Sequence, residues 1–373
     1  MPSTTKVRGT MRIGDPLRIG REAVPFGRNI LADADFTFAV QHRLFVNDPW
    51  ELIAEAIHRS LPDNQIRDIA HSFRRQAKDY FQAATVGSEL AVRPVLLYYA
   101  FLNLSKAYAV ARGNTRLTGR TTHGVSAAAR TKAIPGSLIK FAKTGVFQEL
   151  LDHLDGDTAI LNADLRLGHL LPQILPGHRL WCYATRRAER FLPVERFEIR
   201  HLAATKHVWL NVYLSRDDLD RLGVPEGKVL SEAGLAGDFE VANESTSDNL
   251  VCFQQRSPES YRDDPAVALV PIIFGVRNKI WETVKVASPY RKHYLYCCPT
   301  PERHARLPQM LSVYLLMYFL SSVTRYSPLY FEDLLESKYG PLFQTFISES
   351  PMQFLYLMAS DILGREVSKP AII

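Results

Sequence analysis

The chain has 373 residues, 46% of them hydrophobic and 10% aromatic. That excludes a compositionally disordered polypeptide and leaves enough apolar area for a sizeable core in one large domain or two ordinary ones. The formal net charge of +6 is too mild to mark a nucleic-acid binder by itself, so the distribution of charge carries more than its total.

Residues 1–30 are rich in Gly, Pro and Arg without periodicity. They predict a flexible arm or an extended segment lying on the body. Their opening, MPSTTKVRGTMRIG, lacks the apolar run of a secretory signal. Residues 31–155 read as a helical region. Asn47-Asp48-Pro49 predicts a capped helix start, with the helix reaching about Ser60. After Leu61-Pro62, the spacing of Ile66, Ile69, Ala70, Phe73, Ala77, Tyr80, Phe81 and Ala84 predicts a second helix. Beside that apolar face runs a basic stripe of Arg67, His71, Arg74, Arg75 and Lys78. A third helix is expected from Arg93-Pro94 to about Arg112. It is apolar nearly all round and therefore central, with one polar stripe of Tyr99, Asn103 and Lys106. Such a stripe needs partners, because an unpaired buried polar group costs about 1–3 kcal/mol. Arg112–Lys132 reads as a loop with Gly113, Gly119 and Gly124, Leu138–Ala142 as a short strand, and Val146–Leu154 as a helix. An acidic patch of Asp152, Asp155 and Asp157 follows.

Residues 156–305 are expected to form a β-rich insertion. Strands are predicted over Arg179–Ala184, Arg196–Leu202, His207–Leu214, Phe239–Asn243, Leu250–Gln254, Ala268–Phe274 and His293–Cys297. Ser215-Arg216-Asp217-Asp218 resembles a capping box, and Ser245–Asp248 a hairpin loop. In residues 306–373 helices return over Pro308–Thr324, Pro328–Ser337, Gly340–Ser348 and Pro351–Leu363. The apolar stretch Leu307–Thr324 is broken by polar residues at both ends, so it reads as a core helix and not as a membrane span. The fold class expected is α+β: a predominantly helical body built from N- and C-terminal segments, with the β-rich region inserted.

The sharpest feature is local. Residues 90–148 contain no Asp or Glu, but hold Arg93, Lys106, Arg112, Arg116, Arg120, Arg130, Lys132, Lys140 and Lys143, with His123 among them. This segment cannot neutralise itself. It needs carboxylates from elsewhere in the chain, or an anionic ligand. Phosphate-loop, dinucleotide, HExxH and GxSxG motifs are absent. The cysteines are Cys182, Cys252, Cys297 and Cys298, without a CxxC pair. Neighbouring side chains on a strand point to opposite faces, so no metal site and no cofactor is expected, and the thiols read as reduced residues of a cytoplasmic protein.

Two segments, taken together, carry a resemblance. Arg93-Pro94-Val95-Leu96-Leu97-Tyr98-Tyr99 leads into Asn103-Leu104-Ser105-Lys106-Ala107, with His123-Gly124-Val125-Ser126 soon after. Near the end, Leu316-Met317-Tyr318-Phe319-Leu320-Ser321-Ser322 leads into Arg325-Tyr326-Ser327-Pro328. This arrangement resembles the YaaC-like family of bacterial proteins over about residues 45–150 and 305–365, weakly across the middle, with the N-terminal arm outside it. The resemblance implies a bacterial cytosolic protein with a helical body. It also implies that Arg93, Tyr99, Asn103, Lys106, His123, Arg325 and Tyr326 converge. No activity comes with it.

The expected ligand is therefore a polyanion, nucleic acid before any other, held by Arg93, Tyr99, Asn103, Lys106, Arg116, Arg120, His123, Arg325 and Tyr326. Arg67, Arg74, Arg75 and Lys78 form a secondary stripe, and Tyr98, Tyr99 and Tyr108 are candidates to stack a base. The protein would be a non-catalytic binding or accessory component, with defence against foreign DNA or RNA as one setting and no membrane partner. One alternative is a metal-independent RNase or nucleotide-acting enzyme using His123 with Arg116, seven residues earlier. The other is a scaffold subunit that docks further protein subunits through its C-terminal helices.

Overall fold

The computed structural model describes residues 9–19, 22–24, 26–27, 43–129, 133–154, 156–243, 249–264, 280–287, 292–298 and 306–370. The expected strand Ala268–Phe274 and hairpin loop Ser245–Asp248 lie outside the described residues, as do Arg130, Lys132 and Asp155. Helix predominates over strand in an α+β fold.

Helices α1 (Trp50–Ser60), α2 (Asn64–Thr85) and α3 (Arg93–Ala111) come first. Asp48 Oδ1 accepts from the Trp50 N–H at 3.0 Å, and Asp63 Oδ1 from the Ile66 N–H at 3.0 Å. Each satisfies an N–H that has no partner inside its helix. The α3 helix starts with Pro94 in its first turn and is buried on nearly every side, as its uniform hydrophobicity predicts. Helix α4 (Val146–His153) lies between the second and third strands of a small antiparallel sheet of Val125–Ala128, Leu138–Phe141 and Leu165–Arg166.

Next comes α5 (His178–Thr185), where a strand was expected over Arg179–Ala184. Its buried residues are His178, Trp181 and Cys182, the i, i+3, i+4 set of one helical face. Gly177 at φ 113° before it and Arg186 at φ 54° after it bound a single short helix. An apolar run this short does not distinguish the two periods. Helices α6 (Arg216–Leu222) and α7 (Glu226–Ala233) sit among the strands. Ser215 precedes α6, without a side-chain capping bond.

Three C-terminal helices complete the fold: α8 (Gln309–Tyr326), α9 (Pro328–Glu336) and α10 (Gly340–Leu363). The last is one helix where two were expected, with Pro351 inside it. An interior proline costs about 3 kcal/mol. Phe346, Ile347, Phe354, Tyr356 and Met358 are fully buried around it, and each such side chain contributes about 1.5–3 kcal/mol, so burial outweighs the break. No helix among the described residues is long and apolar enough to cross a membrane. The apolar α8 is spent on the interior, with Leu311, Leu315, Leu316 and Phe319 fully buried.

Two main hydrophobic cores result. The first gathers α1–α5 with α8–α10. Residues 156–185, assigned to the β-rich part on sequence grounds, belong to it through Ile160, Leu165, Leu167, Leu170, Leu171, Ile174 and Trp181. The second lies against a mainly antiparallel sheet. Its path runs Gly9–Thr10, Phe239–Asn243, Leu250–Gln255, His207–Ser215, Arg196–Leu202, Asp15–Pro16. In His207–Ser215, Val208, Leu210, Val212 and Leu214 face the second core, while Tyr213 packs with Ala242 and Cys252 on the other side. Both edges of this path are thus short pieces of the N-terminal arm, tied down by Arg12, whose guanidinium donates to the Gln255 and Arg256 carbonyls at 2.5 and 2.6 Å.

Amide side chains join the cores. Gln309 accepts from the Val286 N–H at 2.7 Å and donates to the Val286 carbonyl at 3.0 Å, occupying the place of a neighbouring strand. Gln353 donates to the same carbonyl at 2.9 Å. Within the first core, Gln173 accepts from the Leu307 N–H at 3.0 Å. Beside them Lys285 is fully buried, its Nζ donating to the Glu282 carbonyl at 2.7 Å and to the Leu307 carbonyl.

Candidate nucleic-acid interface

The α2 and α3 helices pack antiparallel, and the polar stripe of α3 meets α2 one residue at a time. Tyr99 stacks on Tyr80 with centroids 5.6 Å apart at 29°. Asn103 donates to Gln76 Oε1 at 3.4 Å. The Lys106 ammonium lies 5.1 Å from the Phe73 ring centroid. No carboxylate answers Lys106 among the described residues, and burial lowers its pKa.

The end of α8 adds Arg325. Its Nη1 donates to the Tyr99 hydroxyl at 3.1 Å, and its guanidinium carbon lies 5.6 Å from the Tyr99 ring centroid and 5.0 Å from that of Tyr326. Tyr80, Tyr99, Arg325 and Tyr326 therefore form one continuous row of flat groups. The row ends in the open: Tyr326 is 74% exposed and Tyr80 36%.

His123 stands behind this row. Gly124 (φ 80°) and Gly145 (φ 150°) approach each other so closely that a Cβ on Gly145 would collide with the Gly124 backbone. The loop thereby caps α4: the Thr122 and His123 carbonyls accept from the Val146 and Phe147 N–H groups at 3.1 and 3.2 Å. Gly145→Ala should cost about 2 kcal/mol through strain and collision. A lower urea midpoint with a shifted His123 ring resonance is the expected readout.

His123 Nδ1 lies 2.7 Å from the Tyr98 hydroxyl, which also sits 3.4 Å from that of Tyr314. Burial, then Arg325 and Lys106, lower the His123 pKa, so the imidazole is neutral at pH 7. Burial, then Tyr314, raises the Tyr98 phenol, which keeps its proton. Tyr98 is wholly buried, its ring packed on Tyr314 and Tyr318 at 5.7 and 5.2 Å, and Tyr108 is 3% exposed. Neither can stack a base, contrary to expectation. Tyr80, which completes the row, was read from the sequence only as part of an apolar face.

The other expected residues lie apart. Arg116 pairs with Glu149 at 3.4 Å and contributes to the field at His153, not at His123, so the Arg116–His123 pair is not formed. Arg93 Nη2 donates to the Ser88 carbonyl at 2.7 Å, and Arg112 Nη2 to the Asp361 carbonyl at 2.7 Å. Arg120, Lys140 and Lys143 are exposed. Of the seven described cations of the acid-free segment, Arg116 alone makes an ion pair with a described residue. The secondary stripe is partly answered from within: Glu51 of α1 lies 3.0 Å from Lys78 and 4.0 Å from Arg74. Arg67 donates to the Leu61 carbonyl at 3.3 Å, and Arg75 is exposed. No group of three or more His, Cys, Asp or Glu among the described residues is placed to hold a metal.

These features define an α+β protein whose helical body presents an aromatic and cationic face. The family model described as YaaC-like Protein matches residues 36–362, most of the chain, and the chain belongs to this family. The matched range includes the β-rich middle, where only a weak resemblance was expected from the sequence. No curated protein and no solved structure matches the chain.

Proposed function

We propose that the face formed by α2, α3 and the end of α8 binds single-stranded nucleic acid, and that the protein is a non-catalytic binding component of the bacterial cytoplasm. The observation that carries this is the row Tyr80–Tyr99–Arg325–Tyr326. The exposed ends of the row, Tyr326 and Tyr80, offer faces that stack bases whatever their identity, and Arg325 within the row and Lys106 beside it attract the backbone. Binding is favoured over catalysis because His123 already gives Nδ1 to Tyr98 and Arg116 is held by Glu149.

The test is fluorescence anisotropy with a labelled single-stranded oligonucleotide. Affinity should fall at least about tenfold between about 50 and 200 mM salt, as counterion release requires. Tyr326→Ala should weaken binding about tenfold, the loss of one stacking platform. Arg325→Ala should weaken it further, through loss of the guanidinium that joins Tyr99 to Tyr326. Undetectable binding, or a salt response that is flat, defeats the proposal. Cleavage of the oligonucleotide that disappears in His123→Ala would favour the RNase reading instead.

A further inference from the structure

A second concave site lies away from this face, at the junction of the two cores. Its volume is about 850 Å³, within the range of about 300–1,000 Å³ that takes a small ligand. Its wall carries five cations, Arg166, Arg187, Arg190, Arg306 and Lys338, and no Asp or Glu. They come from four separate stretches of chain, so the fold and not the local sequence concentrates them.

Glu232 lies behind the wall, 3.3 Å from Arg190, and its backbone carbonyl accepts from Arg306. Arg166, Arg187 and Lys338 are exposed and have no carboxylate partner among the described residues. A second carboxylate, Glu189, acts on the lining residues His178 and Cys182 but is itself paired with Arg179 at 3.2 Å. The three exposed cations of the wall therefore favour a ligand with more than one negative charge. Four of the five are guanidiniums, whose fork matches phosphate oxygens. One wall is aromatic: Trp181 and Tyr339 stack at 5.5 Å and 21°.

The titratable groups at this site are structural. Both nitrogens of His178 are used, Nδ1 by the Pro172 carbonyl at 2.6 Å and Nε2 by the Arg190 N–H at 2.9 Å. Burial pushes the Cys182 thiol up to about 11, so it is no nucleophile at neutral pH.

We infer that this cavity is a binding site for a small polyphosphate ester of the nucleoside triphosphate class. The inference is independent of the nucleic-acid face, because the two sites share no residue. Titration calorimetry of the full chain with ATP, AMP, inorganic triphosphate and inorganic phosphate tests it. One-to-one binding of ATP or triphosphate is expected, tighter than that of AMP or phosphate. Arg187→Ala with Lys338→Ala should weaken it at least about tenfold, the loss of two phosphate contacts. These two side chains are exposed, so thermal unfolding of the double variant should match the wild type. Arg325→Ala with Tyr326→Ala should leave it unchanged. No binding of ATP or triphosphate at millimolar concentration overturns the inference. So does binding that the Arg187/Lys338 double variant leaves intact, or that the Arg325/Tyr326 double variant removes.

Discussion

Between pH 7 and 9 the wild-type protein should gain about 2–3 kcal/mol of stability relative to its Lys285→Met variant. The cause is a single buried amine. Lys285 has no access to solvent, and burial pushes its pKa from 10.5 down to about 7. In the unfolded chain it keeps its proton until about 10.5. Between the two values the unfolded state binds more protons than the folded one, so stability rises with pH across that window. Each unit is worth about 1.4 kcal/mol, which gives the stated gain over two units. The local hydrogen bonds suit the neutral form: an amine has two hydrogens, and Nζ has two carbonyl acceptors, those of Glu282 and Leu307. The comparison with the variant is needed because buried thiols act in the opposite sense. Cys297 is pushed up to about 12, so the unfolded chain loses that proton first and stability falls as pH rises. Urea unfolding of both proteins at pH 7 and 9 reads the difference. Parallel pH profiles would mean that Lys285 does not change charge on folding.

His178→Ala should cost about 3–5 kcal/mol at pH 7. The ring nitrogens close two backbone groups, the Pro172 carbonyl and the Arg190 N–H. Leaving both buried without partners costs about 1–3 kcal/mol each. The ring also packs edge-on to Phe191, with centroids 4.5 Å apart. Burial depresses the His178 pKa to about 4 from 6.5. The unfolded chain therefore binds a proton that the native one refuses, and stability falls as pH drops from about 6.5 to about 4. That loss amounts to about 3 kcal/mol. In His178→Ala this component of the acid sensitivity should vanish. Urea midpoints of the two proteins at pH 7 and 5 give the comparison. A variant whose midpoint falls as steeply as the wild type's would assign the acid response to other groups.

The helical part of the fold was legible because its signals are local. Asp48 and Asp63 cap α1 and α2, and the apolar positions of α2 recur at helical spacing. The misses have physical causes as well. The apolar run at His178–Thr185 is too short to show its period. At Pro351 the helix continues because the residues on either side are buried, a fact of tertiary packing. Helix Glu226–Ala233 and strands Phe191–Pro193 and Val284–Ala287 were not anticipated. Two of the three are only three or four residues long: Phe191–Pro193 owes its form to the distant strand Lys292–Tyr296, and Val284–Ala287 pairs with that same strand, which follows it closely in the chain.

For the candidate site, the polar stripe Tyr99, Asn103 and Lys106 announced that α3 needs partners, and Arg325 does meet Tyr99. The identity of those partners could not be read, since Tyr80, Gln76 and Phe73 look like ordinary positions of an amphipathic helix. Arg93 and Arg116 stood out by charge, yet each is occupied within its own neighbourhood. The cation cluster of the junction was invisible, because Arg166, Arg187, Arg306 and Lys338 are scattered over more than 170 positions.

Gln309 and Gln353 give the two cores a common fate. Each spends its amide on the backbone of Val286, on the sheet side. Pulling the sheet side from the helical side would strand those groups in a dry interior. The halves should accordingly melt in one cooperative step, and a fragment carrying only one of them should not hold its shape.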